Sequence, residues 1–423
     1  MKINILSVIL ILIGGFSAIS ARAEIPLSEA EHGLMSGFPP AADKVVDYTN
    51  WLKPPYNRWS FQHSQMLFPS QTVSRGNHPE SVLLQADSKY QRALGKAEFA
   101  TGLTFDSFMS DNHVDGIIIL KDGAIVSERY ANGQSPDTRH ILFSVTKSFT
   151  GLLMEILIHD GIVDENKIIA SYIPELSASA YGDATIRQAM DMEVSLIFSE
   201  DHDDPRSEIA QFTYAANMGE PPDGITAERS LYDYLPKLRK DQHHGEKFQY
   251  SSATTEVLGW VLTRATGHSL ADLFEEKIYQ YIQAERDSYF LLDRGGKALA
   301  AAGLNMTLRD LARFALLLQN NGIVAGREVI PVAVIKTLKR GGDINHFPNR
   351  NGSQWSYKSQ WWFDGVNGGM MALGIHGQAI YIGIGDGVVI VSNSSWPSAN
   401  LGNAGLRRYN FHTIVKAALN AVD

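Results

Sequence analysis

Segments with the pattern of β-strands lie near both ends of this sequence, and the chain between them has mostly helical periodicity. An apolar run, a Lys-Asp-Gly turn and a returning strand predict a β-hairpin over residues 115–130. Two later strands, 378–382 and 387–391, flank a glycine-rich turn. Strands divided in this way predict one α/β layer that is split in sequence, with a mostly helical region at about 166–330 inserted into it.

The helical periodicity predicts several helices. The most apolar of them begins near Ser144, directly after the hairpin and its connection, and ends near Gly161. The other predicted helices are 186–192, 255–266 (ended by Gly267), 307–319 and, at the end of the chain, 409–421.

The first 23 residues have the pattern of a signal peptide. Lys2 supplies a positive charge, Ile5–Phe16 is mainly apolar, and Ala21-Arg22-Ala23 fits a cleavage site that would make Glu24 the first mature residue. An uncleaved anchor is the alternative, but the apolar run is short for a membrane span. The pattern therefore predicts a periplasmic or secreted protein without a stable membrane span.

Residues 24–101 are poorly periodic but rich in aromatic side chains. Trp51, Tyr56, Trp59 and Phe61 argue against disorder, because disordered segments usually contain few aromatic residues. We therefore expect 24–101 to be an extended arm that packs on a main body formed by residues 102–423.

Composition excludes several classes of function. The formal net charge is -9 and no basic cluster is present, which argues against nucleic acid as a main partner. The chain has no cysteine, which excludes disulfides, thiolate metal sites and a cysteine nucleophile. The acidic cluster Glu200–Asp204 lacks the spacing of a metal site, so we interpret it as a solvated loop or the rim of a substrate cleft. No metal or organic cofactor is predicted.

Ser144 and Lys147 are the first candidate catalytic residues. Residues three apart share one face of a helix, and Ser144 is the only serine with a lysine three positions on. The positive end of the helix dipole and burial both disfavour an ammonium group, so Lys147 could act as a base. The alternative is that Ser144 caps the helix and Lys147 points to solvent.

Two later segments could complete such a site. Tyr250 precedes Ser251-Ser252 and a predicted helix, and a phenol beside a lysine can share its proton, although a buried structural tyrosine is the alternative. Gly374–Gln378 leads into a late strand, whose backbone N–H groups could stabilise an oxyanion. This segment could equally be a strand edge without a catalytic role.

The order of these three segments resembles the superfamily of serine β-lactamases, penicillin-binding proteins and class C-like esterases. Within it, the sequence is most similar to the group of 6-aminohexanoate-dimer hydrolases. The similar stretches run from the arm to near the C-terminus: Lys53–Trp59, Ser144–Ser148, Asp191-Met192, Phe248–Tyr250, Val257–Gly267, Gln360–Trp362, Gly374–Gln378 and Ser395–Pro397.

The resemblance implies a β-lactamase/transpeptidase-like fold, in which residues near 110–165 and 330–423 form an antiparallel sheet flanked by helices. It implies that Ser144 is the acylated nucleophile, with Lys147 and Tyr250 as the base and proton-shuttle pair in an order that stays open.

The same resemblance assigns the other groups of the site. The backbone N–H groups of Ser144 and Ile375 would hold the oxyanion, with Gln378 as the rival for the second position. Ser252, His376, Gly377 and Gln378 would contact the substrate.

Two departures from the superfamily bear on the substrate. The chain contains no Lys-Thr-Gly, and Ser252 stands where many relatives have asparagine. Both features disfavour penicillins and D-Ala-D-Ala peptides, so we expect hydrolysis of an amide or ester bond in a small substrate. A D,D-peptidase or weak β-lactamase is the first alternative, and a non-catalytic protein that binds cell-wall fragments is the second. The oligomeric state stays open.

Overall fold

A computed structural model describes residues 28–97, 104–347, 354–366, 368–400 and 404–422 of the protein. The predicted signal peptide lies outside the described residues. Within them, no helix is both long and apolar enough to cross a membrane.

The strands of the described residues are short, and most belong to two antiparallel sheets. They are β1 (Ser70–Val73), β2 (Val114–Lys121), β3 (Ala124–Tyr130), β4 (Arg139–Ile141), β5 (Ser288–Leu291), β6 (Leu304–Thr307), β7 (Ile323–Val324), β8 (Arg327–Glu328), β9 (Trp355–Lys358), β10 (Trp361–Asp364), β11 (Gly369–Leu373), β12 (Ala379–Gly383) and β13 (Val388–Ser394).

Most helices of the described residues lie, in sequence, between the hairpin of β2 and β3 and the late strands that begin with β9. They are α1 (Glu29–His32), α2 (Asn57–Ser60), α3 (Ser88–Gly95), α4 (Phe105–Asp111), α5 (Thr146–His159), α6 (Ile186–Met190), α7 (Glu208–Ala215), α8 (Leu231–Tyr234), α9 (Ser252–Thr266), α10 (Leu270–Lys277), α11 (Leu308–Gln319), α12 (Val332–Lys339) and α13 (Ala404–Asn420).

The larger sheet joins the two ends of the chain, as predicted. Its seven strands have the order β3-β2-β13-β12-β11-β10-β9, and every pairing is antiparallel. Ile118 and Leu120 of β2 belong to the core that contains α11, whereas Ile117 and Ile119 belong to a second core that contains α4. Because both faces are covered, β2 is apolar without alternation. The predicted antiparallel sheet flanked by helices is confirmed.

A second sheet was not predicted. Four strands in the order β1-β5-β6-β4 join the N-terminal region to the segment that was expected to be helical. Every residue of β5 and of β6 is buried, so neither strand shows the alternation that identifies a half-buried strand. This sheet positions the candidate site, because β4 ends at Ile141, three residues before Ser144.

A buried polar network joins the N-terminal region to the larger sheet. Arg58 Nη1 lies 3.1 Å from Asp115 Oδ1, and the two side chains are only 8% and 0% exposed. Asp115 Oδ2 also lies 3.2 Å from His140 Nε2, and Ser395 Oγ donates to Asp115 Oδ1 at 2.9 Å. Asp115 therefore connects four segments that are distant in sequence.

Replacing Asp115 with alanine should destabilise the protein strongly. The change removes the carboxylate facing a buried guanidinium, and breaking a buried ion pair from one side costs about 3–5 kcal/mol. Urea unfolding followed by circular dichroism should show a much lower midpoint. The matched control is Asp43→Ala, which removes a carboxylate that is 76% exposed and should leave the midpoint unchanged. Equal midpoints for the two variants would contradict the assigned role of Asp115.

Candidate active site

A tight turn presents Ser144 at the start of α5. Phe143 has a φ of 44°, a left-handed conformation that is costly for a bulky residue. Its ring lies 5.9 Å from that of Trp51 and 5.0 Å from that of Phe61, centroid to centroid. Packing by the N-terminal region thus holds the turn in place, and Ser144 remains partly exposed beside it.

Lys147 is the second residue of α5, and its side chain points back to Ser144. Its Nζ donates to Ser144 Oγ at 2.8 Å and to the backbone carbonyl of Ala301 at 3.1 Å. Burial lowers the pKa of Lys147 to about 8, against the opposing charges of Glu200 and Glu256. Lys147 therefore loses its proton more readily than an ordinary lysine, and its neutral form can accept the Ser144 proton.

Tyr250 completes the group. Its ring centroid lies 5.1 Å from Lys147 Nζ. Burial and the charge of Glu200 raise the pKa of Tyr250, while a hydrogen bond with Ser144 opposes that rise. The phenol is thus protonated at neutral pH and suited to relaying a proton. The structure brings Ser144, Lys147 and Tyr250 together as predicted, and their catalytic roles stay predictions.

An aromatic cluster surrounds the Tyr250 ring. Trp362 of β10 stacks on Tyr250 at 5.5 Å between centroids, and Tyr357 of β9 lies edge-on at 6.3 Å. Phe248 contacts Trp362 at 5.5 Å and Phe347 at 4.7 Å. Sequence reasoning did not assign this cluster to the site, although Phe248 and Trp362 lie in two of the stretches that carry the resemblance.

The segment Gly374–Gln378 lies beside the turn that carries Ser144. A Cβ atom on Gly374 would lie 2.7 Å from the Leu142 carbonyl oxygen, so only glycine permits this close approach. Ile375 follows and is partly buried. The segment is thus adjacent to Ser144, and the oxyanion role of the Ile375 N–H, with Gln378 as its rival, stays a prediction.

The side chains after Ile375 have internal partners. His376 is 3% exposed, its Nδ1 lies 2.7 Å from the Trp396 carbonyl oxygen, and burial lowers its pKa to about 4. Gln378 is fully buried, and its amide bonds the carbonyl oxygen and the N–H of Ser394 at 2.7 and 3.2 Å. Gly377 packs against Trp396. The side chains of His376 and Gln378 thus stabilise the turn. Contact of this segment with substrate stays a prediction, and it would be made by the backbone.

Glu200 is a residue of the site that sequence reasoning did not identify. Its Oε1 accepts the backbone N–H of Ser252, the first residue of α9, at 2.6 Å. Its Oε2 lies 3.6 Å from His202 Nε2, and its side chain is 22% exposed. Burial raises the pKa of Glu200, but His202, Lys147 and the Ser252 N–H together lower it. The carboxylate is therefore ionised, and its charge acts on both Lys147 and Tyr250.

The three aspartates of the acidic cluster differ from Glu200 in their exposure. Asp201, Asp203 and Asp204 are exposed, as a solvated loop requires. Within the described ranges, no group of three histidine or acidic side chains is arranged to hold a metal ion. Ser252 is 6% exposed and begins α9, so the position of its backbone is defined, whereas its contact with substrate stays a prediction.

The chain is similar to known proteins over most of its length. The sequence profile of the β-lactamase family matches residues 104–408. A 6-aminohexanoate-dimer hydrolase of Paenarthrobacter ureafaciens is 31% identical over 368 residues, which cover 85% of this chain and 91% of that protein.

Solved structures, together with the family match, confirm the predicted β-lactamase/transpeptidase-like fold. A structure from Bacillus anthracis assigned as a 6-aminohexanoate-dimer hydrolase superposes with a TM-score of 0.80 at 29% identity, covering 89% of this chain and 98% of the other. A D-stereospecific amidohydrolase from Streptomyces sp. shares the fold, with a TM-score of 0.54 at 15% identity and coverage of 79% and 98%.

Proposed function

Because this chain belongs to the β-lactamase family and is a serine hydrolase of that family, we propose that it cleaves an amide or ester bond in a small, linear substrate through an acyl-enzyme on Ser144. The observation that carries the proposal is the 2.8 Å hydrogen bond from Lys147 Nζ to Ser144 Oγ, with the Tyr250 ring beside it. A nucleophile within hydrogen-bonding distance of a base is the arrangement that acyl transfer requires.

Acylation would begin with neutral Lys147. Lys147 Nζ accepts the Ser144 proton while Ser144 Oγ attacks the substrate carbonyl carbon, and the negative charge moves to the carbonyl oxygen. The N–H groups of Ser144 and Ile375 would stabilise that oxyanion. As the oxyanion collapses, the bond to the leaving group breaks, and Lys147 returns the proton to the departing nitrogen or oxygen by way of the Tyr250 phenol.

In deacylation, water would replace Ser144 as the nucleophile, and Ser144 would become the leaving group. A water molecule gives up a proton to the same pair, attacks the ester carbonyl and releases the acid while Ser144 regains its proton. The aromatic cluster around Trp362 and Tyr250 offers an apolar wall next to the nucleophile, which suits a substrate with a methylene or other apolar chain. The 31% identical relative is named for the 6-aminohexanoate dimer, a substrate of this kind.

Intact-mass spectrometry tests the proposal directly. The mature protein is incubated briefly with p-nitrophenyl esters, 6-aminohexanoate dimer or benzylpenicillin, and product release is followed in parallel. Turnover of the ester or the dimer, with any trapped acyl group on Ser144, would support the proposal. A stable penicilloyl adduct without turnover would favour a penicillin-binding protein, and no reaction with any compound would favour a non-catalytic protein.

The rate should rise with pH through the titration of Lys147. Only the neutral amine accepts a proton, and burial lowers the pKa of Lys147 to about 8, so kcat/KM should increase as the pH approaches and passes that value. Tyr250, whose pKa burial raises, should not produce a falling limb in this range. The measurement is kcat/KM for an amide substrate across a pH series. A profile that is already flat below about pH 7 would exclude Lys147 as the first base.

Export is part of the proposal, on the evidence of the N-terminal sequence. Cleavage after Ala23 would leave Glu24 as the first residue. N-terminal sequencing of the protein from a periplasmic or culture fraction tests this, because a chain that retains Met1 would indicate an uncleaved anchor or no export.

A further inference from the structure

Glu256 is a buried carboxylate that binds the backbone segment in contact with Lys147. It lies on α9 and is only 3% exposed. Its Oε2 accepts the N–H of Ala300 at 3.0 Å, and its Oε1 accepts the N–H of Ala301 at 2.8 Å. With one N–H on each oxygen, the carboxylate defines the position of both peptide units.

The carbonyl groups of the same two residues bind α5. The Ala301 carbonyl oxygen accepts from Lys147 Nζ at 3.1 Å, and the Ala300 carbonyl oxygen accepts from Thr150 Oγ1 at 2.8 Å. Ala301 is thus held by Glu256 through its N–H and itself holds Lys147 through its carbonyl. The position of the Lys147 amine relative to Ser144 depends on this short connection.

Glu256 also lines a cavity of about 550 Å³, called the second cavity because it is separate from the candidate active site. Ser144, Lys147 and Tyr250 are not among its lining residues. Glu256 therefore borders a cavity that does not include the site containing Ser144. The charged, titratable and aromatic groups that line it with Glu256 are Tyr232, Trp260, Arg264, His268 and Lys297.

We propose that Glu256 is a positioning residue for Lys147, which acts through the Ala300–Ala301 backbone, and that its ionisation, exchanged through the second cavity, adjusts how readily Lys147 accepts a proton. The proposal rests on the proposed function for the role of Lys147 as a base. It adds Glu256, which is linked to Lys147 through Ala301, to the residues that control the reaction.

The electrostatics are consistent with this role. Burial, together with the charge of Asp293, raises the pKa of Glu256 to about 7 against the opposing effects of the two N–H groups and Lys147. The groups acting on the pKa of Lys147 are Glu200 and Glu256, whose charges raise it against the effect of burial. Ionisation of Glu256 near neutral pH should therefore raise the pKa of Lys147.

Substitution of Glu256 with glutamine and with aspartate separates charge from position. In Glu256→Gln, Lys147 loses a negative neighbour, so the rising limb of the kcat/KM profile should move to lower pH by roughly 0.5–1 unit. Glutamine has only one acceptor oxygen, so its NH₂ group faces the second backbone N–H and that hydrogen bond is lost. The plateau of kcat/KM should therefore fall by about tenfold or more. Glu256→Asp keeps the charge on a shorter side chain, so its plateau should fall while the limb stays in place.

The matched control is Glu128→Gln on β3, the same chemical change in a partly buried ion pair with Arg309 of α11. Its profile should be that of the wild type. A Glu256→Gln profile whose limb is unmoved, or moves to higher pH, would overturn the proposal even if the plateau falls, because a merely structural residue would lower the plateau without moving the limb.

An NMR titration tests the same coupling without turnover. In protein labelled with ¹³C at lysine Cε, the Lys147 signal, identified by its loss in Lys147→Met, should titrate at lower pH in Glu256→Gln than in wild type. The wild type gives a second readout, which can be used even if Glu256→Gln does not fold. Its Lys147 signal should show a second inflection near the Glu256 pKa of about 7. An unchanged pKa, or a single inflection, contradicts the proposal. Loss of the proposed function alone would leave this coupling intact.

Discussion

Ser144→Ala should turn over neither p-nitrophenyl esters nor 6-aminohexanoate dimer, with a loss of kcat/KM of at least about 10³-fold. The change removes the atom that would carry the acyl group, together with its hydrogen bond to Lys147. The fold should persist, because Lys147 keeps its hydrogen bond to the Ala301 carbonyl and the loss of one hydroxyl costs about 1 kcal/mol. Initial rates and intact mass after incubation with the ester measure the result.

Ser148→Ala is the matched control for Ser144→Ala. Ser148 lies on the same helix and is buried, but its hydroxyl donates to the Gln360 carbonyl at 2.7 Å. Its removal should lower stability by about 1 kcal/mol and leave turnover near that of the wild type. Activity of Ser144→Ala within tenfold of wild type would exclude Ser144 as the nucleophile.

Tyr250→Phe should lower kcat by roughly 10²–10⁴-fold. Phenylalanine preserves the ring that stacks on Trp362 at 5.5 Å, so the aromatic cluster should be retained. What is lost is a hydroxyl that bonds Ser144 and whose pKa is raised by burial and by Glu200, which makes it a proton donor at neutral pH. Single-turnover measurements with an ester and an amide would show whether acylation or deacylation is the slowed step.

Tyr172→Phe provides the comparison for Tyr250→Phe. The Tyr172 hydroxyl accepts the Asp164 N–H at 2.8 Å in a turn after α5, and its loss should affect stability only. If Tyr250→Phe lowers kcat by less than tenfold, the phenol has no part in proton transfer and Tyr250 is structural.

The catalytic spacing is a local property of the sequence. Ser144 and Lys147 are three residues apart at the start of a helix, so a single helical turn brings them together whatever the remaining chain does. The hairpin of β2 and β3 was predicted for the same reason, because its turn and its apolar run are contiguous. α9 ends at Thr266, before Gly267 in a left-handed conformation, as predicted. α5 begins at Thr146, two residues after the predicted start near Ser144, because Phe143–Val145 form a 3-10 turn.

The second sheet and the carboxylates of the site were missed because their partners are far away in sequence. Glu200 lies within an acidic run that looks solvated, and its neighbour Ser252 is 52 positions further on. Glu256 has no distinguishing pattern within α9, since its importance comes from the peptide units of Ala300 and Ala301. No periodicity or motif encodes contacts of this kind.

By itself, the sequence determined the family resemblance, the sheet formed from both ends of the chain, and the pairing of Ser144 with Lys147 on one helical face. Only the tertiary structure decided that Lys147 is buried enough for its pKa to fall to about 8, that Tyr250 stacks on Trp362, and that Glu200 and Glu256 act on the base. The reason is physical: burial and charge at a site depend on every segment folded around it, whereas helical spacing depends only on the residues within one turn.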